Sequence, residues 1–148
     1  MFDHPFPKSF DNNYRGHKLA LWLFGLFALL KSVIGVNSII NGREVMTGAD
    51  GIPLDTYPTA AAQSFVALWA LLGLSHIIIG LMCIFALIRY RSMVPFLFAL
   101  LLLQHLGGRV ILEYIPLVRA GAPPASVVNL IQLTLLVLGL ALSLWRRR

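Results

Sequence analysis

The sequence predicts an all-α fold: an integral membrane four-helix bundle with both termini in the cytoplasm. Three observations carry that reading. The 148 residues are 58% hydrophobic and only 12% charged, with a mean hydropathy of +0.80, which departs from the composition of soluble domains. Four apolar runs are each long enough to cross a hydrocarbon core of about 30 Å, which takes roughly 20 residues at about 1.5 Å apiece. The cations gather at one set of run ends, as membrane topology signals do.

The first run, Leu19 to Ile40, begins with "LALWLFGLFALL" behind positive charge. A signal peptide starts the same way, but no small-x-small cleavage site follows closely, and Ser32 to Ile40 continue the apolar pattern past Lys31; the run is expected to be retained. The second covers Gln63 to Ile88, the third Met93 to Ile115 and the fourth Ala125 to Trp145. Residues 1–18 then form a cytoplasmic tail and 19–148 a single transmembrane domain. The runs are too long and too uniformly apolar for barrel strands, so helices are the spanning structure. Short connections predict that sequential helices pack as antiparallel neighbours.

Lys8, Arg15, Lys18, Arg89, Arg91, Arg146, Arg147 and Arg148 fall on one side, and only Arg43 and Arg119 on the other. The first side, with both termini and the Arg89 to Ser92 turn, is therefore cytoplasmic. The loop from Asn41 to Ala62 and the loop near Pro116 to Pro124 face outward. The larger loop carries Glu44, Asp50 and Asp55 with "TGADGIPLDTYP", where Gly and Pro mark turns, and reads as a cap. The net charge of +6 forms no basic patch interleaved with aromatics, which argues against nucleic acid as a partner. The single cysteine, Cys83, excludes an internal disulfide framework and a cysteine-bound metal site, and reads as packing.

Inside the apolar runs, ionisable and amide side chains share a depth. The turn between the second and third runs centres near Tyr90 and Arg91, so His76 and His105, each about fourteen residues away, fall at one level. Counting from the outer ends places Lys31 there too, with Gln132 and Thr134 close by on the fourth run. Beyond His105, the stretch "LLQHLGGRVILEYI" sets Arg109 and Glu113 further toward the outside, with Gln104 directly beside His105. Ionisable groups near the bilayer centre cost roughly 3 kcal/mol or more and face the bundle interior or a wet cavity, so Lys31, His76, Gln104, His105, Arg109, Glu113 and Gln132 are candidate ligand-binding residues around a polar interior that opens outward. Ala70, Gly73 and Gly80 form a small-residue stripe that includes His76; Lys31 shares a face with Gly35 and Ser38, and Gly108 stands beside Arg109. These placements direct the polar groups to where helices meet.

Three readings of His76 and His105 stand side by side. They are interior histidines hydrogen-bonded to Ser75, Gln104 or a carbonyl; or axial ligands of a b-type haem whose propionates Arg109 or Lys31 would hold; or part of a quinone site, where imidazole, lysine and glutamine donate to carbonyls. Arg109 and Glu113 read as an intrahelical ion pair in the less favourable order, or Glu113 is solvated. Two membrane histidines and a distant carboxylate are too few for zinc. No nucleophile motif surrounds Ser64, Ser75 or Ser126, no acid serves either histidine and no phosphate loop is present, so no catalytic residue is assigned and the chain leans away from being an enzyme. His4 and His17 read as solvent-exposed. Phe2, Phe6 and Phe10 read as interfacial anchors or as a grip on a partner subunit.

The layout resembles the DoxX-like group of small four-helix bacterial membrane proteins. The resemblance rests on the glycine-spaced "ALWALLGLSHIIIGLM", the basic turn "RYRS" and the leucine-rich run that follows, and covers Gln63 to Gln104. It implies a bacterial inner-membrane protein of the kind that accompanies respiratory or quinone-linked enzymes. That group often opens its second span with an acid where this chain has Gln63, so no proton-handling role carries over. The expectation is a small multi-pass inner-membrane protein, an accessory subunit of a larger complex or a homo-oligomer in the bilayer. The alternatives are a protein holding quinone or haem b, and a small transporter.

Overall fold

The computed structural model describes residues 10–121 and 123–145. Lys8, Phe2, Phe6, His4 and the Arg146 to Arg148 run lie outside them. Among the described residues are four helices long and apolar enough to cross a membrane: α1 (Lys18–Ile40), α2 (Thr59–Arg89), α3 (Val94–Tyr114) and α4 (Ala125–Leu144). The end holding the residues before α1 is called the tail end, and the opposite end the loop end.

Local chemistry sets the boundaries. His17 caps α1, its Nδ1 accepting from the Leu19 amide at 3.2 Å; it is a structural cap rather than the solvent-exposed group the sequence suggested. At the far end Asn41 closes the helix with its backbone N–H on the Asn37 carbonyl and its side-chain amide on Asn37 Oδ1, both at 2.8 Å. Helix α2 starts four residues before the expected Gln63, at Thr59 directly after Pro58, because three consecutive alanines are the strongest helix formers available. Its 31 residues reach about 46 Å at about 1.5 Å each, so one end projects beyond a hydrocarbon slab. Pro95 sits in the first turn of α3, where no backbone N–H is needed.

The helices do not pack in sequence order. Helix α1 lies against α2 from Gly25 beside Leu87 at the tail end, and the contact continues just past the end of α1 to Gly42 beside Val66 at the loop end. It also touches α4, and α4 carries α3. The expectation that α2 and α3 pair is corrected: joined by a tight turn, they make little contact past it. The physical reason is backbone proximity. A Cβ on Gly73 would stand 2.7 Å from the Gly35 carbonyl oxygen, one on Gly35 would stand 2.5 Å from that of Gly73, and one on Gly80 would overlap Ser32 Oγ. Without side chains at these points α1 and α2 close to backbone contact, and α3 offers α2 no such seam.

The core fills the tail-end half. Phe24 meets Phe98 edge to face with ring centroids 5.0 Å apart, and Phe98 lies on the bare backbone of Gly139, where a Cβ would overlap its ring. Ala20, Phe27, Ala28, Cys83, Ala86, Val94, Leu97, Leu101 and Leu136 complete the cluster, with Cys83 as buried packing.

The loop-end half is built differently. Over α1 and α2 the cap expected from Asn41 to Ala62 is ordered: a helical turn (Gly42–Glu44), a π-helical turn (Val45–Ala49) and a 3-10 turn (Leu54–Thr56) enclose Met46, Ile52, Leu54 and Ala62, against which Tyr57, Val66 and Trp69 pack. Gly51 turns the chain at φ +69, a left-handed conformation glycine adopts without strain, and its carbonyl accepts the Ala120 amide at 2.7 Å. Nothing comparable covers the other pair: α3 buries no residue beyond Leu101, and α4 none before Gln132.

Candidate functional site

The polar residues singled out from the sequence lie where the sealed core gives way to the open half. On α1, Lys31 follows the buried Phe27 by one turn, and its Nζ stands 5.7 Å from that ring's centroid, within cation–π range. His76 occupies the α2 seam between Gly73 and Gly80, the two glycines that let α1 approach. His105 is one turn beyond Leu101, the last buried residue of α3, and Gln132, 6% exposed, is one turn before Leu136 on α4. Each helix thus carries one polar group next to the edge of the core.

The structure links three of these groups through charge. Lys31 is the cationic neighbour of His76, His105 and Cys83 together, and Arg109 is a second cationic neighbour of His105. Because α2 and α3 make few contacts, what the two histidines share is the charge of Lys31 on α1 and not a paired α2–α3 hairpin.

One nitrogen of each imidazole lacks the hydrogen bond that the first reading supposed. His76 Nδ1 and His105 Nε2 are buried without a hydrogen-bond partner, and Ser75 Oγ donates instead to the Leu71 carbonyl four residues back, at 3.2 Å. Buried imidazole nitrogens left unpaired cost about 1–3 kcal/mol each, a debt that a ligand atom or an ordered water removes. Chemically the group offers an ammonium donor and two imidazoles, each able to donate or accept, beside an apolar floor of Phe27 and Leu101.

Gln104, Arg109 and Glu113 stand apart from that group. All three are exposed, Gln104 at the middle of α3 and the other two toward its loop end. Arg109 and Glu113 do not pair; the ion pair among the described residues is Arg43–Asp55 at 2.7 Å on the cap. The expectation that Gly108 marks a helix meeting beside Arg109 is also corrected, since a Cβ on Gly107 or on Gly108 would meet nothing within 4 Å.

Two features had no sequence signal strong enough to find them. The buried, unpartnered Nε1 of Trp69 belongs to the cap interior, and only the fold of the Asn41 to Ala62 loop buries it. Asp50 is pulled partly under the cap, where burial raises its carboxyl above the ordinary range and the opposing charge of Arg119, from the other loop, lowers it by less. No family model matches the chain, and no curated protein or solved structure matches it either.

Proposed function

We propose that this chain is an accessory subunit of a larger bacterial inner-membrane complex, with both termini in the cytoplasm and the loop end outward. One observation carries the proposal: α3 is largely uncovered beyond His105 while bearing Arg109 and Glu113. Leu106, Val110 and Ile111 are 44%, 52% and 60% exposed on the same segment. An arginine facing hydrocarbon costs roughly 3 kcal/mol or more, whereas a neighbouring helix removes that cost, and Gly107 and Gly108 leave space for a backbone to approach. The orientation follows the cation asymmetry, and the bacterial setting follows the DoxX-like resemblance.

The test is extraction in native lipid followed by mass measurement of the intact particle. The expected result is an assembly heavier than one chain that is lost in Gly107→Leu and Gly108→Leu, while α-helix content and thermal unfolding of the chain stay unchanged. A monomer in native lipid, or an assembly indifferent to both substitutions, overturns the proposal.

A second reading is favoured by the unpaired imidazole nitrogens beside Lys31. In it the chain holds a quinone, whose carbonyls accept from Lys31 and a histidine. Haem b ligated by His76 and His105 is a weaker form of this reading, because α2 and α3 diverge past the turn. Organic extraction of the purified protein measures quinone content directly: Lys31→Met or His105→Ala is expected to lower it, and unchanged content sinks the idea. A Soret band would instead identify haem. Transport is not adopted, since Phe24, Phe98 and Leu136, each 0% exposed, close the tail-end half without a polar side chain among them.

A further inference from the structure

At the tail end the residues before α1 form a strap across three helix ends. Ser92, in the turn between α2 and α3, donates its backbone N–H and its hydroxyl to the Asp11 carbonyl at 3.2 and 2.8 Å. The Asp11 amide returns a bond to Ser92 Oγ at 3.1 Å. His17 donates its backbone N–H to the Leu142 carbonyl of α4 at 3.1 Å. Gly16 is pressed so closely between the Ser143 carbonyl and the Tyr14 hydroxyl that a Cβ has no room. The half-buried Tyr14 hydroxyl donates to the His17 carbonyl, and burial raises its pKa.

The strap and the turn wall a cleft of about 520 Å³ lined by Asn12, Asn13, Arg15, Lys18, Leu21 and Arg91, among others. Three cations from two separate segments converge there, and among the described residues no carboxylate lines it. The neighbouring acid, Asp11, turns its Oδ1 to the Asn13 amide at 2.9 Å. Arg91 is held in place by its Nε bond to the Leu87 carbonyl at 2.9 Å, which leaves its terminal nitrogens for another acceptor. Like charges gathered in one recess repel, and an anion with several acceptor oxygens relieves that repulsion. Leu21 lines the cleft, and its neighbours on the first turns of α1, Leu19 and Trp22, are 49% and 79% exposed. Trp22 and Trp145, 64% exposed, set this end at headgroup level, where aromatic belts lie.

We propose that this cleft binds the phosphate of an anionic phospholipid. Arg15 and Arg91 hold the phosphate oxygens with charge-assisted bonds, Lys18 adds charge, Asn12 and Asn13 supply neutral polar groups, and the acyl chains run along Leu19, Leu21 and Trp22. The adjoining apolar surface selects a lipid over free phosphate. The inference rests on the membrane-spanning reading but needs no partner subunit.

The experiment uses the full chain in phosphatidylcholine nanodiscs doped with phosphatidylglycerol, with retained lipid read by native mass spectrometry. Vesicle flotation first establishes insertion, so that failure of the membrane reading is seen separately. Wild-type protein is expected to retain phosphatidylglycerol over phosphatidylcholine. Arg15→Gln and Arg91→Gln are each expected to lower that preference about fivefold, the effect of one interfacial cation. Arg89→Gln, which removes a cation at the same end but outside the cleft, is expected to leave it unchanged. Equal retention of the two lipids by the wild type overturns the proposal without reference to any variant. So does an equal loss in Arg89→Gln, which would reduce the effect to general interfacial charge. Binding of inorganic phosphate that displaces the lipid also overturns it, by making the free anion the ligand.

Discussion

Two glycine-bearing stretches invite comparison. Gly73 and Gly80 of α2 sit against the α1 backbone, so close that a methyl group at either would strike Gly35, Ser38 or Ser32. Gly107 and Gly108 of α3 have open space where a Cβ would project. The residue type is the same, and the consequences are opposite. A glycine in an apolar helix is a packing device only where a second backbone comes to it; elsewhere it is a weak point in the helix or a vacancy for a partner. The comparison separates a sealed half, holding Phe24, Phe98 and Leu136, from an open half where α3 and α4 bury nothing.

The comparison can be broken most forcefully in the sealed half. Phe98→Ala removes a fully buried ring that bridges Phe24 and Gly139, and should destabilise the chain by about 4 kcal/mol. Equilibrium unfolding in mixed detergent measures it; a loss near zero would mean that this core does not hold the bundle. Next in size, Gly73→Leu should cost about 3 kcal/mol through overpacking of the α1–α2 seam, against about 0.5 kcal/mol or less for Gly107→Leu in the isolated chain. Equal effects would erase the distinction between the two glycine pairs.

Smaller effects sharpen the difference between the capped helix pair and the bare one. Burial raises the Asp50 carboxyl above its ordinary value of 3.8, so its protonated form favours the folded cap. That contribution is fully present below pH 3.8 and fades as pH rises through the raised value. Amide exchange of Ile52 and Leu54 should therefore slow at the acidic end, and Asp50→Asn should remove the dependence. The smallest change is expected for Asp55→Asn. Its pair with Arg43 is solvent-exposed, at 57% and 85% of the two side chains, and such pairs contribute about 0.5 kcal/mol.

Much of this was legible before any coordinates. The four helices fall within a few residues of the apolar runs, and α2 overshoots its run only where Thr59 to Ala62 add good helix formers outside the hydrophobic stretch. The shared faces of Gly35 with Ser38 and of Gly73 with Gly80 followed from helical spacing alone and match the seam. The pairing of helices was not legible. Counting residues from the Tyr90 turn put His76 and His105 at one level, but chain proximity at a turn does not force two helices to stay together. The tail-end cleft was equally hidden, because Arg15, Lys18 and Arg91 read as topology signals until the strap joins Asp11 to Ser92, 81 positions away, and brings both segments into one wall.

Sequence by itself determined the helices, because a chain in hydrocarbon satisfies its backbone polar groups within each span, and span length and hydropathy are local properties. Only the tertiary structure decided which glycines are used, which imidazoles the charge of Lys31 acts on and which half stays open. Those outcomes depend on the fit of one helix surface to another, a property of pairs of segments that neither segment carries alone.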